Sequence, residues 1–215
     1  MNLDILSLTT IALLTGIVHT FLGPDHYLPF IALAKVQSWS RKKTTWITFI
    51  CGLGHIFSSV VLGYLAFGLR FSLNSLHIID STRSDLAAWA LIAFGFAYFI
   101  WGLKGAFREN RKGRDFSVAT PANPALWILF IIFVVGPCEP LFVLMSYPAL
   151  AGNLVSTLLL IGIFGAATVA TMLTIVLTAS YGLHLIRHQT SIRFAPAIAG
   201  LIIMSCGLGI KYLGL

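Results

Sequence analysis

The chain has 215 residues, of which 58% are hydrophobic and 10% are charged. A soluble domain carries about 25% charged residues, so the composition excludes an ordinary soluble protein and indicates membrane spans of ~20 apolar residues each. The net charge of +7 does not indicate nucleic-acid binding, because the Lys and Arg residues cluster between apolar runs, where topology signals lie.

The apolar runs predict six transmembrane helices. The first covers roughly 4–22 and continues after Gly23-Pro24 as a second apolar piece, 25–36. Together they are too long for one straight crossing of a core about 30 Å thick, so we expect a helix broken at Gly23-Pro24. The other runs cover roughly 44–69, 85–105, 125–147, 153–184 and 193–213, and the fourth is interrupted at Gly136-Pro137 and again near Pro148. The first residues show no cleavable signal pattern, so the first run is expected to remain in the mature protein.

The charged residues between the runs predict the orientation of the spans. Eleven basic residues fall in the loops after spans one, three and five: Lys35, Arg41, Lys42, Lys43, Lys104, Arg108, Arg111, Lys112, Arg114, Arg187 and Arg193. The other side holds Arg70, Arg83 and Lys211, with Asp80 and Asp85 close to the first two. Because positively charged loops stay in the cytoplasm, we expect both termini in the periplasm or outside the cell.

The two halves of the chain share a motif. Each half breaks an apolar run with Gly-Pro and continues with two residues able to bind a metal or a proton, in 23–26 (GPDH) and in 136–139 (GPCE). Gly54 and Gly165 follow the two prolines at similar distances, each within the next span. Three spans per half invert the second half relative to the first. The sequence therefore predicts an all-α polytopic membrane protein of two inverted three-helix repeats, 1–105 and 125–215, with proline-broken helices 1 and 4 and a cytoplasmic basic loop at 106–124.

Six residues inside the spans are candidates for a site, because ionisable groups at membrane depth are expensive and usually functional. They are His19, Asp25, His26, His55, Cys138 and Glu139. Asp25 and Glu139 each follow a helix break, where the positive N-terminal end of the next half-helix favours a carboxylate. Imidazole, carboxylate and thiolate together suit borderline divalent metals such as nickel, cobalt, zinc or iron. We therefore expect a metal site at mid-membrane and no permanently bound cofactor.

Plainer roles stay open for some of these residues. His55 could form only a hydrogen bond to a neighbouring helix, Glu139 could carry a proton, and Cys138 could fill apolar space. Cys51 and Cys206 are expected to be packing residues, since three scattered cysteines make no disulfide framework.

Small residues in the third span leave the oligomeric state open. Gly95, Gly102 and Gly105 could pack either a partner chain or an internal neighbour. A homo-oligomer is therefore compatible with the sequence.

Two segments, HTFLGPDH (19–26) and CGLGH (51–55), resemble the nickel/cobalt transporter (NicO/UreH-like) membrane family of the LysE superfamily. The six-span plan is also similar to that of the sulfite-exporter-like (TauE/SafE-like) and DsbD-type transmembrane proteins. The resemblance implies that His19, Asp25, His26 and His55 bind metal. In the family four residues separate the first His from Asp-His, whereas five do so here, which on an ideal helix rotates one ligand by about 100° and leaves the metal's identity open. Thiol relays of the DsbD type use a cysteine in each half, and Asp25 replaces the first, so disulfide exchange is not expected.

The sequence predicts a transporter and not an enzyme, since it contains no nucleophile–base set and no nucleotide-binding loop. We expect a bacterial inner-membrane protein that moves a divalent transition metal by alternating access, with the ion displacing protons from His and carboxylate groups. Import and export are not distinguished. Two alternatives remain, an exporter of sulfite or another sulfur anion held by helix N-termini, and an accessory or redox protein using Cys138. The expected partners are the lipid bilayer and the metal ion, with no nucleic acid.

Overall fold

The computed structural model describes residues 5–68, 73–112, 122–136, 138–150, 153–185 and 194–213, and every regular element within them is helical. The elements in chain order are α1 (Ile5–Leu22), a short 3₁₀ turn (Pro24–His26), α2 (Leu28–Val36), α3 (Arg41–Gly68), α4 (Leu73–Lys112), α5 (Ala122–Val135), α6 (Glu139–Leu150), α7 (Leu154–Leu185) and α8 (Ala195–Leu213). The prediction of an all-helical fold is confirmed.

Six helical stretches are long and apolar enough to cross a bilayer, and each corresponds to one predicted span. They are Ile5–Leu22, Arg41–Leu65, Ile78–Phe107, Pro124–Met145, Leu154–Gly182 and Ala195–Leu213. Large apolar side chains cover the outside of the bundle, with Leu6 and Val155 77% exposed and Val143 71% exposed. A soluble protein rarely exposes apolar side chains over so much of its surface. The six helices therefore fit a multi-pass membrane protein.

The third span is longer than predicted at both ends. α4 begins at Leu73 instead of about residue 85, and it ends at Lys112, inside the predicted loop 106–124. Asp80 and Arg83 are consequently helical, one turn apart, with Arg83 Nη1 3.9 Å from Asp80 Oδ1. The prediction that Arg83 lies in a loop is wrong, because the pairing of the two charges lets the helix continue past the end of its apolar run.

α4 packs on α8 through glycines. A Cβ atom at Gly95 would lie 2.4 Å from the Met204 nitrogen, and one at Gly102 would lie 2.4 Å from the Ala197 nitrogen. Later residues of α4 meet earlier residues of α8, so the two helices run antiparallel. Gly95 and Gly102 therefore pack against α8 of the same chain. This is one of the two roles that the sequence left open for them.

α2 lies inside the bundle, among α3, α7 and α8. Its residues 29–34 are all buried, and Phe30 and Leu33 have no exposed surface. Gly23 and His26, in the stretch before it, are also buried and Pro24, Asp25 and Tyr27 are half-buried, which fits the need to shield non-helical backbone from lipid at membrane depth. This interior helix directly follows the first break.

The fourth span is also interrupted. α5 ends at Val135 and α6 begins at Glu139, while Pro137 lies outside the described residues. α6 runs through Pro148 to Leu150, so the interruption predicted near Pro148 is wrong. A proline so close to a helix end removes only one backbone hydrogen bond, which the last turn tolerates.

Candidate metal-binding site

Three histidines from different elements meet inside the bundle. His19 belongs to the last turn of α1, His26 to the 3₁₀ turn, and His55 to the middle of α3. One ring nitrogen from each lies within 4.8 Å of the other two. The ring centroids of His19 and His26 are 4.8 Å apart, and those of His26 and His55 are 5.2 Å apart. We call this group the histidine cluster.

The break after Leu22 brings two of these rings together. The Gly23 N–H donates to the His19 carbonyl (3.0 Å) and closes α1, after which the extended backbone of Gly23 (φ −91°, ψ 90°) redirects the chain. The His26 N–H then donates to the Gly23 carbonyl (3.1 Å) and holds the 3₁₀ turn. A Cβ atom at Gly23 would lie 2.7 Å from His26 Nδ1. Any side chain at Gly23 would therefore force His26 to move.

Hydrogen bonds at Nδ1 set the tautomers of His26 and His55. His26 Nδ1 lies 3.2 Å from the Gly23 carbonyl oxygen and 3.2 Å from Asp25 Oδ1, and His55 Nδ1 lies 3.1 Å from the Phe133 carbonyl oxygen. Each of these oxygens is an acceptor, so each Nδ1 carries the proton and donates it. A neutral ring then has its lone pair on Nε2. The same arrangement of an outer acceptor and an inner nitrogen orients histidines that bind metals.

Three buried histidine nitrogens lack partners. Nε2 of His19, His26 and His55 is buried and has no hydrogen-bond partner among the residues that the structure describes. Buried polar atoms in proteins are nearly always satisfied, so three such atoms in one cluster call for an explanation. A cation bound between them would satisfy all three.

The cluster lines a cavity of about 170 Å³. The other lining residues are Asp25, Ser84, Ala87, Leu91, Ile132, Phe133, Gly136, Glu139, Pro140 and Ile210. Ser84 and Ile210 place the cavity toward the end of the bundle where α4 begins and α8 ends. On the other side, the rings of Phe30 and Phe133 pack with centroids 4.7 Å apart and both side chains buried. The cavity is therefore bounded by an aromatic floor.

The cluster is wider than a loaded site. Two nitrogens bound to one tetrahedral metal at about 2.1 Å each are roughly 3.4 Å apart. Separations of up to 4.8 Å within the cluster must therefore shrink by up to about 1.4 Å when an ion binds, so binding requires the three rings to move toward each other.

The other predicted site residues divide into two groups. Asp25 touches His26, and Glu139 lines the cavity from the first turn of α6. Cys138 is fully buried in an apolar cluster with Ile56 and Leu141 and does not line the cavity. The structure thus brings together His19, Asp25, His26, His55 and Glu139, and it leaves Cys138 outside.

Arg83 is a residue whose place the sequence did not indicate. Its Nη2 donates to the carbonyl oxygens of Val134 (3.2 Å) and Gly136 (3.1 Å) and to Ser58 Oγ (3.2 Å). The guanidinium therefore joins α4 to α3 and to the C-terminal end of α5. The only signal was the i, i+3 spacing of Asp80 and Arg83 next to an apolar run, which is typical of a helix face.

Comparisons with known proteins add no assignment to this geometry. No family model matches the chain, and no curated protein or solved structure matches it.

Proposed function

We propose that the chain is a membrane transporter of a divalent transition-metal cation, with the histidine cluster as its binding site. One observation carries the proposal: three buried Nε2 atoms lack partners while one ring nitrogen from each histidine lies within 4.8 Å of the others. Three neutral imidazoles suit nickel, cobalt, zinc or iron, and they are poor ligands for magnesium or calcium.

The position of the cluster favours a passing ion over a structural one. A closed structural zinc site has four protein ligands, whereas here three imidazoles face a cavity and leave at least one position open. Glu139 lines the same cavity, where its carboxylate can receive the ion or a displaced proton. The Asp25 carboxylate contacts His26, so its negative charge would partly compensate the positive charge of an ion bound to the cluster. Any ligand that is protonated in the empty site must lose that proton when the cation binds.

The packing of the helices supports two inverted repeats. In that arrangement α4 corresponds to α8, α3 to α7, and the broken span α1–α2 to the broken span α5–α6. α4 and α8 contact each other antiparallel, as counterparts in inverted halves must. α1 contacts α7 and α3 contacts α5, so each broken span packs on the second span of the other half. Rocking of one half against the other would expose the cluster to alternate sides.

The proposed location is a bacterial inner membrane. The ends that carry Lys35, Arg41 and Lys104 would face the cytoplasm and both termini would face the periplasm or exterior. In this orientation the cavity lies on the periplasmic side of its aromatic floor.

The two alternative functions fit the site less well. A sulfur anion would meet Asp25 and Glu139 in the cavity, which repel it. A thiol-redox role needs an accessible cysteine, whereas Cys138 has no exposed surface and all three cysteines are buried.

Metal binding and flux test the proposal together. Purified protein is titrated with Ni²⁺, Co²⁺ and Zn²⁺, and flux is followed in proteoliposomes loaded with a metal-sensitive dye. We expect one site per chain, lost in His26→Ala and His55→Ala. His188→Ala is the control. It also removes an imidazole, but at a position outside the described residues, and it should leave metal binding and flux intact. Unchanged binding and flux in the two cluster variants would refute the proposal.

A further inference from the structure

A second cavity, of about 480 Å³, lies at the opposite end of the bundle from the histidine cluster. Its walls come from α2, from the turn between α2 and α3, from the start of α3 and from the end of α7. The lining residues are Ile31, Ala34, Lys35, Trp39, Arg41, Thr44, Thr45, Leu177, Thr178, Ser180 and Tyr181. Two of these are basic and none is acidic.

The positive end of this cavity is built by a helix N-terminus and two cations. Arg41 is the first residue of α3, and its Cζ lies 5.0 Å from the centre of the Tyr181 ring. This cation–π contact holds the guanidinium at the wall of the cavity. Ser40 Oγ accepts from the Lys43 N–H (3.3 Å) and caps the helix. The partial positive charge of the helix end therefore adds to the charges of Arg41 and Lys35.

One residue of the wall has an unpartnered hydroxyl. Ser180 lines the cavity, and its buried Oγ has no hydrogen-bond partner among the described residues. Rotation of this side chain toward the cavity would let the hydroxyl donate to an anionic oxygen. The rest of the wall is apolar, with Ile31, Ala34 and Leu177. A ligand that fits both parts has a negative head and a hydrocarbon portion.

We propose that this cavity binds the phosphodiester headgroup of an anionic phospholipid. A free phosphate shares the charge but has nothing to place against the apolar wall, so the lipid is the better occupant. Basic cavities between transmembrane helices on the cytoplasmic side bind such headgroups through the same chemistry. The proposal does not depend on metal transport, since it concerns other residues at the other end of the bundle.

Lipid retention measured by native mass spectrometry tests the site. The full chain is released from nanodiscs that contain equal amounts of phosphatidylglycerol and phosphatidylcholine, and the bound lipid is identified by mass. We expect selective retention of phosphatidylglycerol. Each basic residue near a charged membrane surface contributes about fivefold to binding, so Arg41→Ala and Lys35→Ala should each lower retention by roughly that factor.

Lys42→Ala is the matched control, because it removes the same charge from the neighbouring position and does not line the cavity. It should retain the lipid as the wild type does. Equal losses in Lys42→Ala and Arg41→Ala would mean diffuse attraction to the surface and would overturn the proposal. Equal retention of the two lipids would also overturn it. Displacement of the lipid by millimolar inorganic phosphate would assign the site to free phosphate instead.

Discussion

The two helix breaks begin with the same dipeptide, yet the molecule supports them differently. At both breaks the glycine N–H closes the preceding helix, Gly23 on the His19 carbonyl (3.0 Å) and Gly136 on the Ile132 carbonyl (2.8 Å). The difference lies in the other carbonyls. At the first break the Tyr27 hydroxyl, from the same turn, donates to the Phe21 carbonyl (3.3 Å), and at the second the Val134 and Gly136 carbonyls accept hydrogen bonds from Arg83 of α4. The first break is thus a turn that carries two of the proposed ligands, and the second is held by an arginine of another helix.

The proposed ligands follow the same division. His19 and His26 flank the first break and belong to the histidine cluster. The second break contributes a backbone acceptor, because the Phe133 carbonyl fixes the ring of His55. One break therefore supplies imidazoles and the other orients one. A repeated motif therefore need not repeat a role.

The glycines of the two breaks give the largest expected contrast. A Cβ atom at Gly23 would lie 2.7 Å from His26 Nδ1, whereas one at Gly136 would lie 3.6 Å from His55 Nδ1, an ordinary contact distance. Gly23→Ala should displace His26 and reduce metal affinity at least about 100-fold, as loss of an oriented ligand does. Gly136→Ala should stay close to wild type. Isothermal titration with Ni²⁺ compares the two, and equal effects would remove the distinction between the breaks.

Asp25 provides a smaller effect within the first break. Asp25→Asn keeps an acceptor for the His26 Nδ1 proton but removes the negative charge, so we expect metal affinity to fall about 10–100-fold. Asp85→Asn is the matched control, because Asp85 pairs with Lys211 at the surface (2.7 Å) and does not line the site cavity. If both variants lost affinity equally, general electrostatic attraction would explain the effect and the contact with His26 would not.

Arg83 tests the second break through stability. Arg83→Met leaves the Val134 and Gly136 carbonyls without their donor, which should lower the free energy of unfolding by roughly 1–3 kcal/mol. Metal affinity should change least of all, because no described contact joins Arg83 to a histidine ring and its link to His55 runs only through Ser58, whose hydroxyl donates to the His55 backbone carbonyl (3.0 Å). Thermal unfolding in detergent and titration with Ni²⁺ separate the two quantities. A collapse of affinity at unchanged stability would show that Arg83 belongs to the site.

Much of this architecture could be predicted from the sequence, and the reasons are local. Runs of apolar residues define the six spans, and the cost of an ionisable group at membrane depth singles out His19, His26 and His55. The partner of His55 could not be predicted, since the Phe133 carbonyl is 78 positions away in the chain. The roles of Arg83 and Cys138 depend in the same way on which helix packs beside them.

The spacing argument at His19 shows where local reasoning fails. One extra residue before Asp25 would rotate a ligand by about 100° on an ideal helix. No continuous helix exists there, because α1 ends at Leu22 and Gly23 is extended. The turn takes up the extra residue, and His19 and His26 still face each other.

Binding of the ion by three imidazoles is best tested by the X-ray absorption spectrum of the Zn²⁺-loaded protein. We predict a shell of imidazole nitrogens at about 2.0–2.1 Å, with one imidazole fewer in His26→Ala and no change in Cys138→Ala. A sulfur shell at about 2.3 Å that disappears in Cys138→Ala, or a shell of oxygens without imidazole scattering, would contradict it.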